Sequence, residues 1–373
     1  MQRNISLKTI KLQDICHIEK GKQIDTSQLR ADSPYKYING GIKESGYYHQ
    51  YNTDSETVLV SEGGASCGYV NYINERFWCG CHCYKLTECK ILPKYLYYAL
   101  KGNQDKIMEL RSGAAMPNIK KEVFKNMSLL IDLDKSNQQA IIKTLDSIQK
   151  AVNDKSDVLL SLEELVKSRF IEMFENKGFS FLPFSKYADI IDGDRGKNYP
   201  KATDFSDNGY CLFLNAKNVT KEGFSFEQTQ FISKEKDAAL RKGKLQRKDI
   251  VITTRGTIGN IAYYDETIPY DNIRINSGMV VIRPQNISYN PFFFLYAFRN
   301  KVEEIKAQNV TGAAQPQLPI HIMSKIQLIN PPIELQNEFA EFVKLIDKSK
   351  FIVQQQIKDL EELLDSKMDE YFR

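Results

Sequence analysis

Glu164-Leu-Val-Lys-Ser-Arg-Phe-Ile-Glu-Met-Phe174 and Glu362-Leu-Leu-Asp-Ser-Lys-Met-Asp-Glu-Tyr-Phe372 are two versions of one amphipathic segment, 198 residues apart (362 − 164 = 198). Upstream, Ser112-Gly-Ala-Ala-Met-Pro-Asn-Ile119 matches Thr311-Gly-Ala-Ala-Gln-Pro-Gln-Leu318 at nearly the same spacing. A repeat this long is a duplicated domain and not a solenoid unit, whose period is about 20–50 residues. Weaker matches continue toward each start. Asp14-Ile15 pairs with Asp189-Ile190, Lys20-Gly21-Lys22 with Arg195-Gly196-Lys197, Ile38-Asn39 with Leu214-Asn215, and Gly68 with Gly259. The spacing grows along the chain, so the second copy carries insertions in its globular part. A constant scaffold with variable loops suits a module whose loops select a ligand.

The repeated segments end long helices. Apolar residues in the first fall at Ile141, Leu145, Ile148, Val152, Leu159, Leu162 and Val166. In the second they fall at Phe339, Val343, Ile346, Val353, Ile357, Leu360 and Leu364, in the same heptad phase. A seam repeating every seven residues packs knobs into holes against another helix. Lys155 and Lys350 interrupt the seams, but no Gly or Pro does, so each helix runs unbroken; Gln138 to Met173 would span about 54 Å. We expect the two helices to pair with each other as an antiparallel coiled-coil spacer, each keeping another face for partner subunits. The expected division is therefore 1–136 globular, 137–176 helical, 177–334 globular and 335–373 helical.

Bulk properties narrow the function. The 373 residues are 42% apolar and 26% charged, ordinary for a soluble protein of two or three domains. No run approaches the roughly 20 apolar residues of a membrane helix, and Met1-Gln-Arg-Asn-Ile-Ser lacks a signal-peptide core. Seven cysteines without disulfide-like spacing fit a reducing compartment, which points to the cytoplasm. The net charge of +4 is unevenly placed. Residues 1–136 hold 19 Lys/Arg against 15 Asp/Glu and residues 177–334 hold 21 against 16, whereas both helical stretches are acidic. Basic globular parts on acidic struts direct a polyanion to the globular parts.

Each globular part mixes short alternating segments, such as Thr57-Val-Leu-Val60 and Asp249-Ile-Val-Ile-Thr253, with Gly-, Asn- and Ser-rich turns. One helical segment follows in each, opening at Pro93 and Pro291, where a first helical turn tolerates proline. The pattern predicts an α+β module on a curved, mostly antiparallel sheet.

Pro331-Pro-Ile-Glu-Leu-Gln-Asn-Glu-Phe339, the Thr311-Gly-Ala-Ala-Gln-Pro316 loop, the Arg255-Gly-Thr-Ile-Gly259 turn and the helix-ending Leu165-Val-Lys-Ser-Arg-Phe-Ile-Glu-Met-Phe174 together resemble the DNA-specificity subunit of type I restriction–modification systems. The similarity covers the whole chain, in duplicate. The first copy departs from the pattern: it reads Ile131-Asp-Leu-Asp-Lys-Ser-Asn-Gln-Gln139 at the helix start and lacks the arginine of the Arg-Gly-Thr-Ile-Gly turn. The resemblance implies two tandem target-recognition domains, each reading half of a split, asymmetric double-stranded DNA site, with the coiled coil setting the unread gap. It implies a non-catalytic chain. Two methyltransferase subunits, using S-adenosylmethionine, would modify adenine, and motor–nuclease subunits, using ATP with Mg, would cleave. No cofactor is expected on this chain.

Arg and Lys suit guanine edges and phosphates, Asn and Gln suit adenine edges, and glycines let backbone approach phosphates. The candidates in the first module are Lys20, Gly21, Lys22, Lys36, Asn39 and Arg76. In the second they are Arg195, Gly196, Lys197, Asn215, Lys217, Asn218, Arg255, Gly256 and Arg274. The Gly-Ala-Ala loops are alternatively structural turns.

Two rival functions and two decoys are weighed against this. Asn330-Pro-Pro-Ile333 approaches an adenine methyltransferase signature, but Ile333 replaces the aromatic residue that would stack on a flipped base. Gly193-Asp-Arg-Gly-Lys197 lacks the spacing of a phosphate-cradling loop. Cys79-Gly-Cys-His-Cys83 with Cys89 offers zinc-type ligands, but alternating positions on one expected strand could not converge on a single ion, so no metal is expected. A coiled-coil adaptor without DNA contact would explain the helices but not two divergent basic modules.

Overall fold

The computed structural model describes residues 7–113, 116–221, 223–256, 258–285, 289–308 and 318–373. They form two compact units, Met1–Leu160 with Lys350–Arg373, and Ser161–Ser349. In the first, β1 (Leu7–Lys11), α1 (Leu12–Ile15), β2 (His17–Lys20), β3 (Tyr35–Ile38), β4 (Gly46–Tyr48), β5 (Thr57–Ser61), β6 (Val70–Ile73), β7 (Phe77–Cys79) and β8 (Cys83–Thr87) precede α2 (Pro93–Gly102). Then come α3 (Gln104–Glu109), α4 (Lys121–Lys125), β9 (Ser128–Asp132) and the long α5 (Lys135–Phe174), which belongs to this unit as far as Leu160. The sheets are β1-β9, β2-β8-β5-β6 and β4-β3-β7. Each pairing is antiparallel except β3 with β7.

The second unit contains β10 (Ser180–Pro183), β11 (Ala188–Asp192), β12 (Cys211–Leu214), β13 (Phe231–Ile232), α6 (Lys234–Ala239), β14 (Ile250–Thr253), β15 (Ile261–Tyr263), β16 (Ile273–Ile275) and β17 (Met279–Pro284). α7 (Pro291–Gln308), α8 (Ile320–Met323), β18 (Gln327–Asn330) and α9 (Ile333–Phe372) follow, α9 belonging to this unit as far as Ser349. Its sheets are β10-β18, β11-β17-β14-β15 and β13-β12-β16, the same connections with one parallel pair, β12 with β16.

The central strands show why apolar runs were needed. Val58 and Val60 enter the core shared with Leu96 and Leu100 of α2, while Leu59 packs with Ile38, Phe77 and Cys79. In the second unit Ile250 and Ile252 face Phe294 and Phe298 of α7, and Val251 faces Leu212 and Ile273. A strand covered on both faces reads as continuously apolar, and its two-residue period only sorts side chains between two cores.

The long helices begin by different chemistry. Asp134 accepts the Ser136 and Asn137 backbone N–H groups, an N-cap for α5. At α9, the Pro332 carbonyl accepts the Leu335 and Gln336 N–H groups. In the first unit Ile141 and Leu145, from the opening turns of α5, share a core with Met368, Tyr371 and Phe372, from the close of α9. In the second unit Val166, Phe170 and Phe174, closing α5, pack with Phe339 and Ile346, opening α9. The helix segments are thus antiparallel within each unit. Ile148, Leu159, Leu162, Val343, Ile357, Leu360 and Leu364 are half-buried, and Val152 and Val353 buried. No helix among the described residues is long and apolar enough to cross a membrane.

Two registers differ from the sequence reading. The backbone counterpart of Gly21 is Gly193 and not Gly196. A Cβ on Gly21 would lie 2.2 Å from the Gly80 carbonyl oxygen, and one on Gly193 would lie 2.2 Å from that of Asn276. Likewise Leu12 N–H donates to Met127 O as Phe184 N–H does to Ile326 O, which sets Asp14-Ile15 against Lys186-Tyr187. The cysteines do not share a strand. Cys79 closes β7 and Cys83 opens β8 across a turn, both thiols are buried, and Cys81 points to Gln23 Oε1 at 2.9 Å.

Candidate nucleic-acid interface

In the first unit, loops at the ends of β2, β5 and β7 converge. Glu62 anchors them: its carboxylate accepts from Lys20 at 2.7 Å and from the Tyr84 hydroxyl at 3.3 Å. Its N–H donates to His82 O, and its carbonyl accepts from Ile119 N–H. Asn39 Oδ1 accepts the His82 N–H at 3.2 Å. Lys20, Asn39 and His82 therefore share one edge. Lys22 is exposed there, and its carbonyl accepts the Trp78 indole N–H at 2.8 Å. The loop after Ser112 docks here as well, Gly64 N–H donating to Pro117 O at 3.0 Å. Residues 114–115 and 311–317 of the two Gly-Ala-Ala loops lie outside the described residues. Lys36 and Arg76 belong to a separate cluster. Lys36 pairs with Glu75 at 2.5 Å, and Arg76 pairs with Asp54 and lies 4.8 Å over the Tyr51 ring.

The second unit carries two adjoining hollows. One, of about 230 Å³, is lined by Asp192, Arg195, Thr254, Arg255 and His321 among others. The other, of about 300 Å³, is lined by Asp192, Gly193, Asp194, Arg195, Gly196, Arg241 and Lys242. Arg195 lies on both, held by Asp192 at 3.1 Å and the Ser277 carbonyl at 3.2 Å. Arg255 and Gly256 are exposed, Gly256 at φ +74° with open space where a Cβ would sit. Lys197 is exposed two residues after Arg195. Asn215 and Lys217 form a separate short turn, where Asn215 Oδ1 accepts the Lys217 N–H and Lys217 reaches Gln228.

Two candidates are not available to a ligand. Arg274 is buried, with Nε donating to Asp237 at 2.5 Å and its other nitrogens to the carbonyls of Asp237, Leu240 and Lys242. Asn218 is buried too, donating to the Ser225 and Gln228 carbonyls. Both are structural clamps, because every polar atom they would offer is already used inside the fold. Sequence reasoning missed Arg241, Lys242 and His321. For the first two the signal was the basic run Arg241-Lys-Gly-Lys244.

No group of three or more His, Cys, Asp or Glu side chains among the described residues is arranged to hold a metal ion. The type I restriction modification DNA specificity domain matches residues 4–161 and again residues 183–362. The chain belongs to that family. Its relatives include a Mycoplasma genitalium protein named as a type I specificity subunit, 24% identical over all of this chain and 95% of that protein. A type I restriction enzyme specificity subunit of Methanocaldococcus jannaschii is 25% identical over 68% of this chain and 63% of its own. Among solved structures, the type I restriction–modification S subunit from M. genitalium superposes with a TM-score of 0.61 at 21% identity, covering 100% of this chain and 98% of that one. A chain from a study of complex assembly and conformational transition of the type I system gives 0.58 at 13% identity, covering 98% and 97%. These likenesses confirm the fold: two tandem α+β specificity domains with long helical segments. The family is the specificity component of its systems and not the catalytic one.

Proposed function

We propose that this chain gives a type I restriction–modification complex its DNA sequence specificity, each unit reading one half of a bipartite, asymmetric site. The supporting observation is one backbone plan built twice with different polar side chains on its converging loops. A duplicated frame keeps two surfaces alike in placement, and divergent loops make the half-sites differ, as half-site geometry follows protein geometry in dimeric readers. Residues 1–136 and 177–334 are the recognition domains, and 137–176 and 335–373 the spacer helices. Lys20, Lys22 and Asn39 face the first half-site, and Arg195, Lys197 and Arg255 the second. Lys36, Arg76, Asn215 and Lys217 are peripheral phosphate contacts.

Two methyltransferase subunits, carrying S-adenosylmethionine, dock on the outward helix faces and modify adenine. Leu160 and Leu165 of α5 and Leu345, Phe351 and Leu363 of α9 are exposed there. Motor–nuclease subunits with ATP and Mg would join for cleavage, and the complex works in the cytoplasm. The test is a base-resolution methylation map of cells carrying the neighbouring methyltransferase, with and without this chain. A bipartite motif methylated only when the chain is present is the expected result. Retention of that motif after deletion of residues 177–373 would refute the two-unit reading.

A further inference from the structure

The larger of the two hollows of the second unit is lined in part by a buried carboxylate whose two oxygens are both taken up by backbone N–H groups. Asp194 is 6% exposed. Its Oδ1 accepts the Gly196 N–H at 2.7 Å and its Oδ2 accepts the Arg241 N–H, also at 2.7 Å. One side chain therefore ties the loop after β11 to the loop after α6, 47 residues later. The fit is tight on every side. A Cβ on Gly196 would lie 2.9 Å from the Arg241 guanidinium, and one on Gly243 would lie 3.3 Å from Gly193 Cα. The side chains carried outward by these loops are cationic: Arg195, Arg241 and Lys242, with Arg255 on the adjoining hollow. Backbone N–H groups of Gly196 and Arg241 hold the Asp194 carboxyl below the usual carboxylate range, so it stays ionised at neutral pH.

We infer that Asp194 is a positioning residue that fixes Arg195, Arg241 and Lys242 as a phosphate clamp for the DNA backbone, a device of the second unit alone. The inference rests on the DNA-reading function proposed above. Sequence and fold both support its restriction to one unit. One residue on from the Gly193–Gly21 match, the position of Asp194 is Lys22 in the first unit. There β4 runs on to β5 without a helix, whereas α6 and the basic run after it separate β13 from β14. Phosphate contacts position a reader without carrying sequence information. The clamp thus supplies affinity and register to one half-site, leaving base selection to the remaining loops.

Electrostatics makes the test discriminating. Asp194→Asn removes a negative charge beside three cations, so a pure charge effect would tighten DNA binding. Positioning predicts the reverse. With one N–H now on each oxygen, the amide must turn its NH2 donor toward one of the two N–H groups, so that tie is lost, the loops separate, and the cations disperse. Binding of the full-length chain to a random-sequence 30-base-pair duplex is measured by anisotropy between about 50 and 200 mM salt, where each phosphate contact contributes a slope of about 0.9. We expect Asp194→Asn to weaken binding about tenfold and Arg241→Gln/Lys242→Gln to lower the slope by about two. Should Asp194→Asn fail to fold, the double variant decides. An unchanged slope in that variant, or equal or tighter binding by folded Asp194→Asn, overturns the inference. Failure of the unaltered chain to bind the duplex with any salt dependence would instead sink the DNA-reading function itself.

Discussion

Trp78 and Arg274 occupy one position in two copies of the same small sheet. Trp78 stands opposite Tyr37 on the parallel pair β3–β7, and Arg274 stands opposite Phe213 on β12–β16. The first unit closes that face with rings: Trp78 meets Tyr48 edge-on at 4.9 Å. The second closes it with a buried ion pair, Arg274 to Asp237, where both side chains are under 10% exposed. Asp237 comes from α6, for which the first unit has no counterpart between β4 and β5. Backbone register is therefore shared, and the insertion decides what fills it. The same insertion brings Arg241 and Lys242 to the surface, so a change in core chemistry and a change in surface charge lie on one segment.

The largest effect should come from breaking that pair. Asp237→Ala strands a buried guanidinium and should destabilise the second unit by about 3–5 kcal/mol, while Arg274→Met with Asp237→Leu recovers most of the loss. Hydrogen exchange of β12 and β16 against β3 and β7 reads this out unit by unit. Equal loosening of both sheets would break the comparison. Acid sharpens it. Burial pushes the Asp237 carboxyl up, but its bonds to Lys244 and Arg274 outweigh burial and leave it below its ordinary value. A depressed carboxylate contributes stability above its unfolded pKa, about 3.9, and loses it as pH falls through the folded value. The β12–β16 sheet should therefore open first below about pH 4, and Asp237→Asn should abolish that difference between the sheets.

Next comes a feature the units share. Gln138 accepts the Leu92 N–H at 2.9 Å and donates to Asp132 O at 2.8 Å. Gln336 accepts the Asn290 N–H at 3.0 Å and donates to Pro331 O at 2.8 Å. Both amides are essentially inaccessible, and each fastens the start of a long helix to the start of the helix that covers the sheet. Either Gln→Ala change orphans a buried donor and acceptor and should lose about 2–4 kcal/mol, equally in the two units. A difference of more than about 1 kcal/mol by denaturant titration would mean that only one helix start depends on its glutamine.

Legibility followed the range of the interactions. The helices and their seam could be read because a heptad pattern is local, and the repeat because its motifs keep their spacing. The match of Gly68 with Gly259 held: both have φ above +80°, and their N–H groups donate to Ser61 O and Thr253 O. The match of Gly21 with Gly196 failed because Lys-Gly-Lys and Arg-Gly-Lys look alike. What demands glycine at Gly193 is a carbonyl more than eighty positions away in sequence. Arg274 looked like a reader because a sequence displays a charge but not the carboxylate on a distant insertion that will bury it. The Asp194 tie was invisible for the same reason, although the basic run it fastens was not.

The smallest expected effect tests whether the loop tips are really alike. Gly64 and Gly256 follow the ends of β5 and β14, at φ +76° and +74°, and in neither case would a Cβ meet any atom within 4 Å. Sterics with neighbours are thus removed, and only the left-handed backbone resists a side chain, a penalty of about 1–2 kcal/mol. Gly64→Ala and Gly256→Ala should each lower stability by that amount and by the same amount. Their effects on DNA binding should differ, because the residue before Gly256 is Arg255 and the residue before Gly64 is Gly63. Any shift of the second turn moves a cation, and any shift of the first moves bare backbone. Equal stability losses with a larger binding loss for Gly256→Ala would place the difference between the units in the side chains of the turn. Equal binding losses would place it in the backbone that both turns share.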